Sequence, residues 1–269
     1  MCCKCKQPSL GLQMKAHNLW IKSVGLLGAL ALAGAVQALT LHRDGEDLYA
    51  AGAIQQGDDL ALRAAHREAP VRRLVLVNSP GGAFLTSLRI ARWVEELRIT
   101  TVAAGHCLSA CSLVFMAGEQ RQFAQTLSGQ THLIGIHGPY ALRTGQPSAT
   151  AAVMMLSYYR NRMGEKFDAA LMERAVYQMQ DPTGLLVVPQ AGGAVVRPWY
   201  CPSNRIRPEL CTRFPDKDGL SLGLLTTDEP GLVKIPPELS RLAERSPVEL
   251  LAHGPAGGVI ARTSPPSLD

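Results

Sequence analysis

The 269-residue chain contains no zinc-ligand spacing, no P-loop and no dinucleotide fingerprint. That removes the cofactor and metal chemistries that show themselves by motif spacing, so neither a cofactor nor a metal is expected. Internal repeats are missing, and so is a solenoid or propeller reading. Positive charge is thinner than it looks. The formal net charge is +5, but residues 1–38 carry Lys4, Lys6, Lys15 and Lys22 and no acid, which leaves 5 − 4 = +1 for the rest. A near-neutral domain lacks the basic footprint of a nucleic-acid binder. Long apolar runs are also scarce. The one between Ser23 and Val36 is shorter than the roughly 20 residues a spanning helix needs.

What is there is the balance of a globular domain, 46% apolar and 18% charged, with material for a real core. Lys15 and Lys22, the apolar stretch after Ser23, and Val36-Gln-Ala38 read together as a secretory signal over 1–38. A start at Met14 would give that signal a conventional length. An uncleaved anchor tethering the domain to a membrane is the alternative. The mature domain is expected in the periplasm or secreted. Of the seven cysteines, Cys2, Cys3 and Cys5 fall in the signal and four remain. An even number in an exported chain suggests disulfides. Cys201 and Cys211 flank a proline-rich loop and can close it. Cys107 and Cys111 would share a face of one regular helix, where a bond strains the helix. Two small buried apolar side chains are the simpler reading there.

Apolar runs and turn residues alternate along the chain. Short strands are expected over 39–42 and 47–54, around Asp44-Gly45. A helix follows from Gly57, capped by Asp58 or Asp59. Leu74–Val77 reads as a strand buried on both faces, and Gly81-Gly82 breaks it before a helix over 83–97. A strand over 100–104, a helix over 109–117, a strand over 133–136 and helices over 149–162 and 166–180 complete the pattern. Strands alternating with helices imply an α/β fold with a mostly parallel sheet. The domain is expected over 39–230, with an ordered loop insertion at 182–217 and a strand or short helix at 220–225. A C-terminal helix and a disordered tail occupy 231–269.

Chemistry concentrates in three places. Gly105-His-Cys-Leu-Ser109-Ala-Cys-Ser carries one hydroxyl where a small-residue turn meets an apolar run. Leu133-Ile-Gly-Ile-His137-Gly-Pro is a short apolar strand ending in a histidine. Leu74-Val-Leu-Val-Asn-Ser-Pro-Gly81-Gly82 is a buried strand running into a glycine turn. A nucleophile, a base and backbone amides able to hold an oxyanion are the equipment of acyl transfer.

These three motifs, in this order, resemble the Clp protease proteolytic subunit and its periplasmic Clp-like relatives in the Clp/crotonase superfamily. The resemblance covers roughly residues 47–181. It implies a spiral of β-β-α units with a helical hairpin. Ser109 would be the nucleophile and His137 the general base. Asp181, after the hairpin, would be the third member, with Asp168 as the second candidate. The amides of Gly81 and Ala110 would form the oxyanion hole, and Gly82 and Ala83 would border an extended peptide substrate. The implied activity is an exported, ATP-independent serine hydrolase, a peptidase acting on peptides or unfolded segments. It would have no ATPase partner and could self-associate through the hairpin.

Alternatives stay open. Ser109 can be a helix N-cap, and Ser112 a core-facing residue. His106 is a rival base, and His132 reads as structural. A Ser-Lys dyad would need Lys166 or Lys217. A catalytically inactive Clp-like binding or assembly module, or a crotonase-type enzyme acting on acyl-CoA thioesters, would share the fold.

Overall fold

The computed structural model describes residues 39–125, 132–141, 144–178, 184–190, 198–202, 210–213 and 217–240. Every described residue lies within the unit Val36–Asp269. The expected signal over 1–38, Asp181 and the tail beyond 240 lie outside the described residues.

Strands β1 (Thr40–Asp44) and β2 (Asp47–Ala51) form a hairpin, with Gly45 in its turn at φ 58°. Helix α1 (Asp58–Glu68) leads to β3 (Arg73–Ser79), and α2 (Phe84–Glu96) to β4 (Thr100–Leu108). Helix α3 (Ala110–Met116), β5 (Arg121–Phe123) and β6 (Leu133–Ile136) follow. Next come α4 (Ala149–Met163) and α5 (Ala169–Glu173), which runs on as a π-helical turn, Arg174–Gln178. The chain then adds β7 (Leu185–Pro189), β8 (Trp199–Cys201), β9 (Thr212–Arg213) and α6 (Pro237–Ser240).

The strands lie in one sheet, ordered β1-β2-β3-β4-β6-β7-β8-β9, with β5 also paired to β4. Its centre is parallel: β2 with β3, β3 with β4, and β4 with both β5 and β6. Both flanks are antiparallel, β1 on one side and β7, β8 and β9 on the other. The sheet is therefore mixed, where a mostly parallel one was expected. The region read as a loop insertion, 182–217, supplies its antiparallel flank. Residues 220–225 form turns and not a strand or helix.

The unbroken apolar run of β3 follows from burial on both faces. Leu74 and Leu76 point into a cluster with helix residues such as Ile90, Val94, Phe115 and Tyr159. Val75 and Val77 point to the other face, among Val102, Ala104, Val233 and Leu239. The helices thus cover one face, and the segment near α6 covers part of the other.

Strand β4 does two jobs. Its first half pairs with β5 and its second half with β6. Between them the β3–β4 register shifts after Val77, so that Ser79 meets Cys107. The bulge places Asn78 at φ 46° and Gly105 at φ 78°. A Cβ on Gly105 would sit 1.9 Å from the Asn78 side-chain oxygen, so only glycine fits there. Bulges re-aim the strand beyond them, and this one directs the ends of both β3 and β4.

Candidate active site

Ser109 occupies the single residue between β4 and α3, at φ 54° and ψ −127°. Non-glycine residues seldom adopt positive φ, and such a site is held only where its surroundings over-determine it. Here they do. The Ser109 amide donates to the Gly135 carbonyl at 2.8 Å, extending the β4–β6 ladder. The Ser109 carbonyl accepts from both the amide and the hydroxyl of Ser112. The Ser112 hydroxyl is in turn 2.6 Å from the Tyr159 hydroxyl on α4. The chain thus turns sharply from strand to helix at Ser109, a geometry that in serine hydrolases projects the nucleophilic hydroxyl from the top of a sheet. The side chain of Ser109 makes no capping bond to α3, so the N-cap alternative does not describe its hydroxyl.

The Gly81 backbone presses against this elbow. A Cβ at Gly81 would lie 2.6 Å from the Leu108 carbonyl oxygen and 2.8 Å from both the Ala110 nitrogen and the Ser109 Cβ. Gly81 and Ala110, the two expected oxyanion donors, therefore flank the same serine. The Ala110 amide donates to no group among the described residues, as befits an orphan donor at a helix start. The Gly81 amide lies 3.3 Å from the hydroxyl oxygen of Ser79, a long contact that a stronger acceptor can displace.

Beside the turn, Ile54 bridges Gly82 in parallel. Its amide donates to the Gly81 carbonyl and its carbonyl accepts from Ala83, each at 2.8 Å. The Ala83 carbonyl also accepts from Ser87. Ala83 is thus committed to the fold at both polar groups, whereas the Gly82 amide and carbonyl make no such backbone bond among the described residues.

His137 follows the last residue of β6, the strand parallel to β4. Leu108 pairs with Gly135, so Ser109 and His137 stand just beyond the carboxyl ends of neighbouring strands. Such strands lie about 4.8 Å apart. His137 is 7% exposed, and its ring stacks on Tyr140 with centroids 5.3 Å apart. Its Nδ1 is 2.6 Å from the Gly138 carbonyl oxygen. A carbonyl can only accept, so Nδ1 carries the proton and the lone pair belongs to Nε2. That is the tautomer a general base needs. The Ser109 hydroxyl makes no hydrogen bond, to His137 or to any other group, among the described residues.

The rival assignments have other occupations. His106 and His132 are 0% and 1% exposed, and burial pushes each down to about 4. His132 accepts the Gly105 amide at 2.7 Å, bracing the bulge. Asp168 caps α5 by accepting the Leu171 amide at 3.0 Å. Lys166 donates to the Leu220 carbonyl at 3.0 Å. Asp181 lies outside the described residues. Among those residues, no group of histidine, cysteine and acidic side chains is arranged to hold a metal ion.

Both cysteine pairs are disulfides. Cys201–Cys211 joins the end of β8 to the residue before β9, as expected. For Cys107 and Cys111 the sequence left a bond and two separate buried side chains both open, and the structure gives the bond. The two cysteines do not share a helix. Cys107 lies one residue before the end of β4 and Cys111 in the first turn of α3, so the bond spans the elbow and the objection from helix strain disappears. The supports of Ser112, Tyr159 and the Gly138 carbonyl also escaped the sequence reading. The small-residue pattern Cys-x-Ser-Ala-Cys-Ser was the one signal that pointed toward them. Compared with known proteins, the chain matches no family model and no curated sequence.

Proposed function

We propose that the chain is an exported serine hydrolase of the Clp/crotonase type, a peptidase acting on peptides or unfolded segments without ATP. The observation that carries the reading is the positive-φ Ser109 at the elbow, with Gly81 packed on it and a histidine of the correct tautomer at the end of the adjoining strand. In the reaction, His137 Nε2 takes the Ser109 proton as the oxygen attacks the substrate carbonyl. The Gly81 and Ala110 amides hold the oxyanion, displacing the weak Ser79 contact. His137 then protonates the leaving amine, and water repeats the sequence to release the acid. The Gly138 carbonyl orients the ring, a task that Asp181 would share. The substrate lies extended along Gly82.

Two disulfides fit an oxidising compartment, and no helix among the described residues is long and apolar enough to cross a membrane. Export through the segment 1–38 is part of the proposal. An exported compartment offers no ATP, so no unfoldase partner is needed.

A fluorophosphonate probe tests the assignment. The expected result is labelling of the wild type and none of Ser109→Ala or His137→Ala. The absence of a hydrogen bond from the Ser109 hydroxyl among the described residues favours a second reading, a Clp-like binding module without catalysis. A folded wild type that the probe leaves unlabelled would select it.

A further inference from the structure

The Cys107–Cys111 disulfide has no part in the reaction steps above, yet it brackets the one residue on which they depend. Cys107 is the penultimate residue of β4 and Cys111 the second residue of α3. Their Cα atoms are 5.2 Å apart and both side chains are fully buried. Between them lie Leu108, the positive-φ Ser109, and Ala110, whose amide finds no acceptor among the described residues. Closing so short a loop removes little freedom from the unfolded chain, because the entropy of closure grows with loop length. What the bond fixes is local: the distance and angle at which the strand passes into the helix.

We infer that the Cys107–Cys111 disulfide is a positioning element for the nucleophile, holding the elbow so that the Ser109 hydroxyl and the Ala110 amide face one pocket. The hydrogen bonds to Gly135 and Ser112 anchor the two sides of Ser109. The disulfide is the covalent restraint across the whole turn. When it is absent, Ser109 relaxes toward negative φ, and the hydroxyl and the Ala110 amide turn away together. Hydrolysis is then confined to the oxidised protein. The proposal rests on Ser109 being the nucleophile, and its test separates the two.

The test compares wild type with Cys107→Ala/Cys111→Ala and with Cys201→Ala/Cys211→Ala. It measures the second-order rate of fluorophosphonate labelling, hydrogen exchange of the peptide covering 108–114, and the thermal midpoint. The expected result is at least a tenfold loss of labelling rate and faster exchange at 108–114 in the first variant. The second variant should label within twofold of wild type even if its midpoint falls as far. Equal labelling losses in the two variants would reduce the bond to a general staple. Unchanged labelling and exchange in the first variant would overturn the proposal outright. If wild type does not label, the hydrolase reading fails, and exchange at 108–114 alone decides the positioning role. If the first variant folds poorly, wild type is treated with a phosphine instead. The phosphine takes the disulfide to two thiols and is itself oxidised, with water, to the phosphine oxide. Thiol alkylation counts the bonds opened, and the same labelling and exchange criteria apply.

Discussion

Replacing Gly81 by alanine isolates the close approach on which the candidate oxyanion hole depends. Gly81 has φ +91°, and its new Cβ would meet the Leu108 carbonyl oxygen at 2.6 Å and the Ala110 nitrogen at 2.8 Å. Both are backbone atoms, which no rotamer change can move aside. The backbone term for an L-residue at positive φ is about 1–2 kcal/mol. Forcing an extra carbon into a packed contact adds about 1–3 kcal/mol. The sum is roughly 2–5 kcal/mol. At about 2–4 °C per kcal/mol for a domain of this size, the thermal midpoint falls by roughly 10 °C. Separating the Gly81 and Ala110 amides removes one oxyanion donor, so the rate falls by about 10²–10³. Gly57→Ala is the control, because Gly57 has φ +97° and nothing within 4 Å of its Cβ. It carries the backbone term alone and should label like wild type. Calorimetry and probe-labelling kinetics read both effects. If Gly81→Ala matched Gly57→Ala in midpoint and still labelled within threefold of wild type, the claim that Gly81 shapes the pocket would be wrong.

Three further outcomes are expected. Asp168→Ala, which removes the α5 cap, should lower stability by about 0.5–2 kcal/mol in urea unfolding and leave probe labelling unchanged; lost labelling would return Asp168 to the catalytic set. Tyr159→Phe should cost about 1 kcal/mol by removing its bond to Ser112, with a labelling loss larger than that stability change predicts if the elbow loosens. Stability should also depend on pH through His106 and His132, which burial pushes down to about 4. Between about 6.5 and 4 the unfolded chain binds protons that the folded chain refuses. Stability is therefore full above about pH 6.5 and falls as the pH drops toward 4, by at most about 1.4 kcal/mol per unit for each histidine. Urea unfolding across this window should show His106→Gln halving the slope, and a flat profile would refute the burial argument.

The parallel centre of the sheet was readable because its strands are apolar without a break. β6 matches the expected 133–136, and β3 and β4 contain the expected strands while running further at their carboxyl ends. Those extensions matter most, since Asn78, Ser79 and His106 are polar and look like loop. They remain in strands because Ser79 pairs with Cys107 and His106 with Leu133, and the Asn78 side-chain oxygen accepts the His106 amide. β7 was overlooked although Leu185-Leu-Val-Val188 is apolar, because the prolines around it signalled a loop. Pro189 is tolerated as the last residue of that strand. β8 and β9 are too short to leave a periodic pattern. In the candidate site, Ser109, His137 and Gly81 were singled out through motifs that resemble the Clp family, and the fold sets Gly81 against Ser109 and ends β6 just before His137. The restraints that hold them were not. A cystine between strand and helix, or a tyrosine from α4 beneath the elbow, depends on tertiary placement that local periodicity does not encode.

Arg121 has a consequence for the order in which the molecule matures. Its guanidinium is buried and donates to the Gly118 carbonyl just past α3, and also to Gly223 and Leu224, 103 residues further along the chain in the case of Leu224. A polypeptide emerging amino end first can pair β1 to β4 early, and Arg162 of α4 can reach the Met116, Ala117 and Gly118 carbonyls, but the Arg121 guanidinium lacks two of its three acceptors until the 220s have been released. The last part of the serine's support to be finished is thus one of the last parts of the domain to be made. A chain cut short before Gly223 would carry every residue of the proposed reaction above a guanidinium stripped of two of its three acceptors.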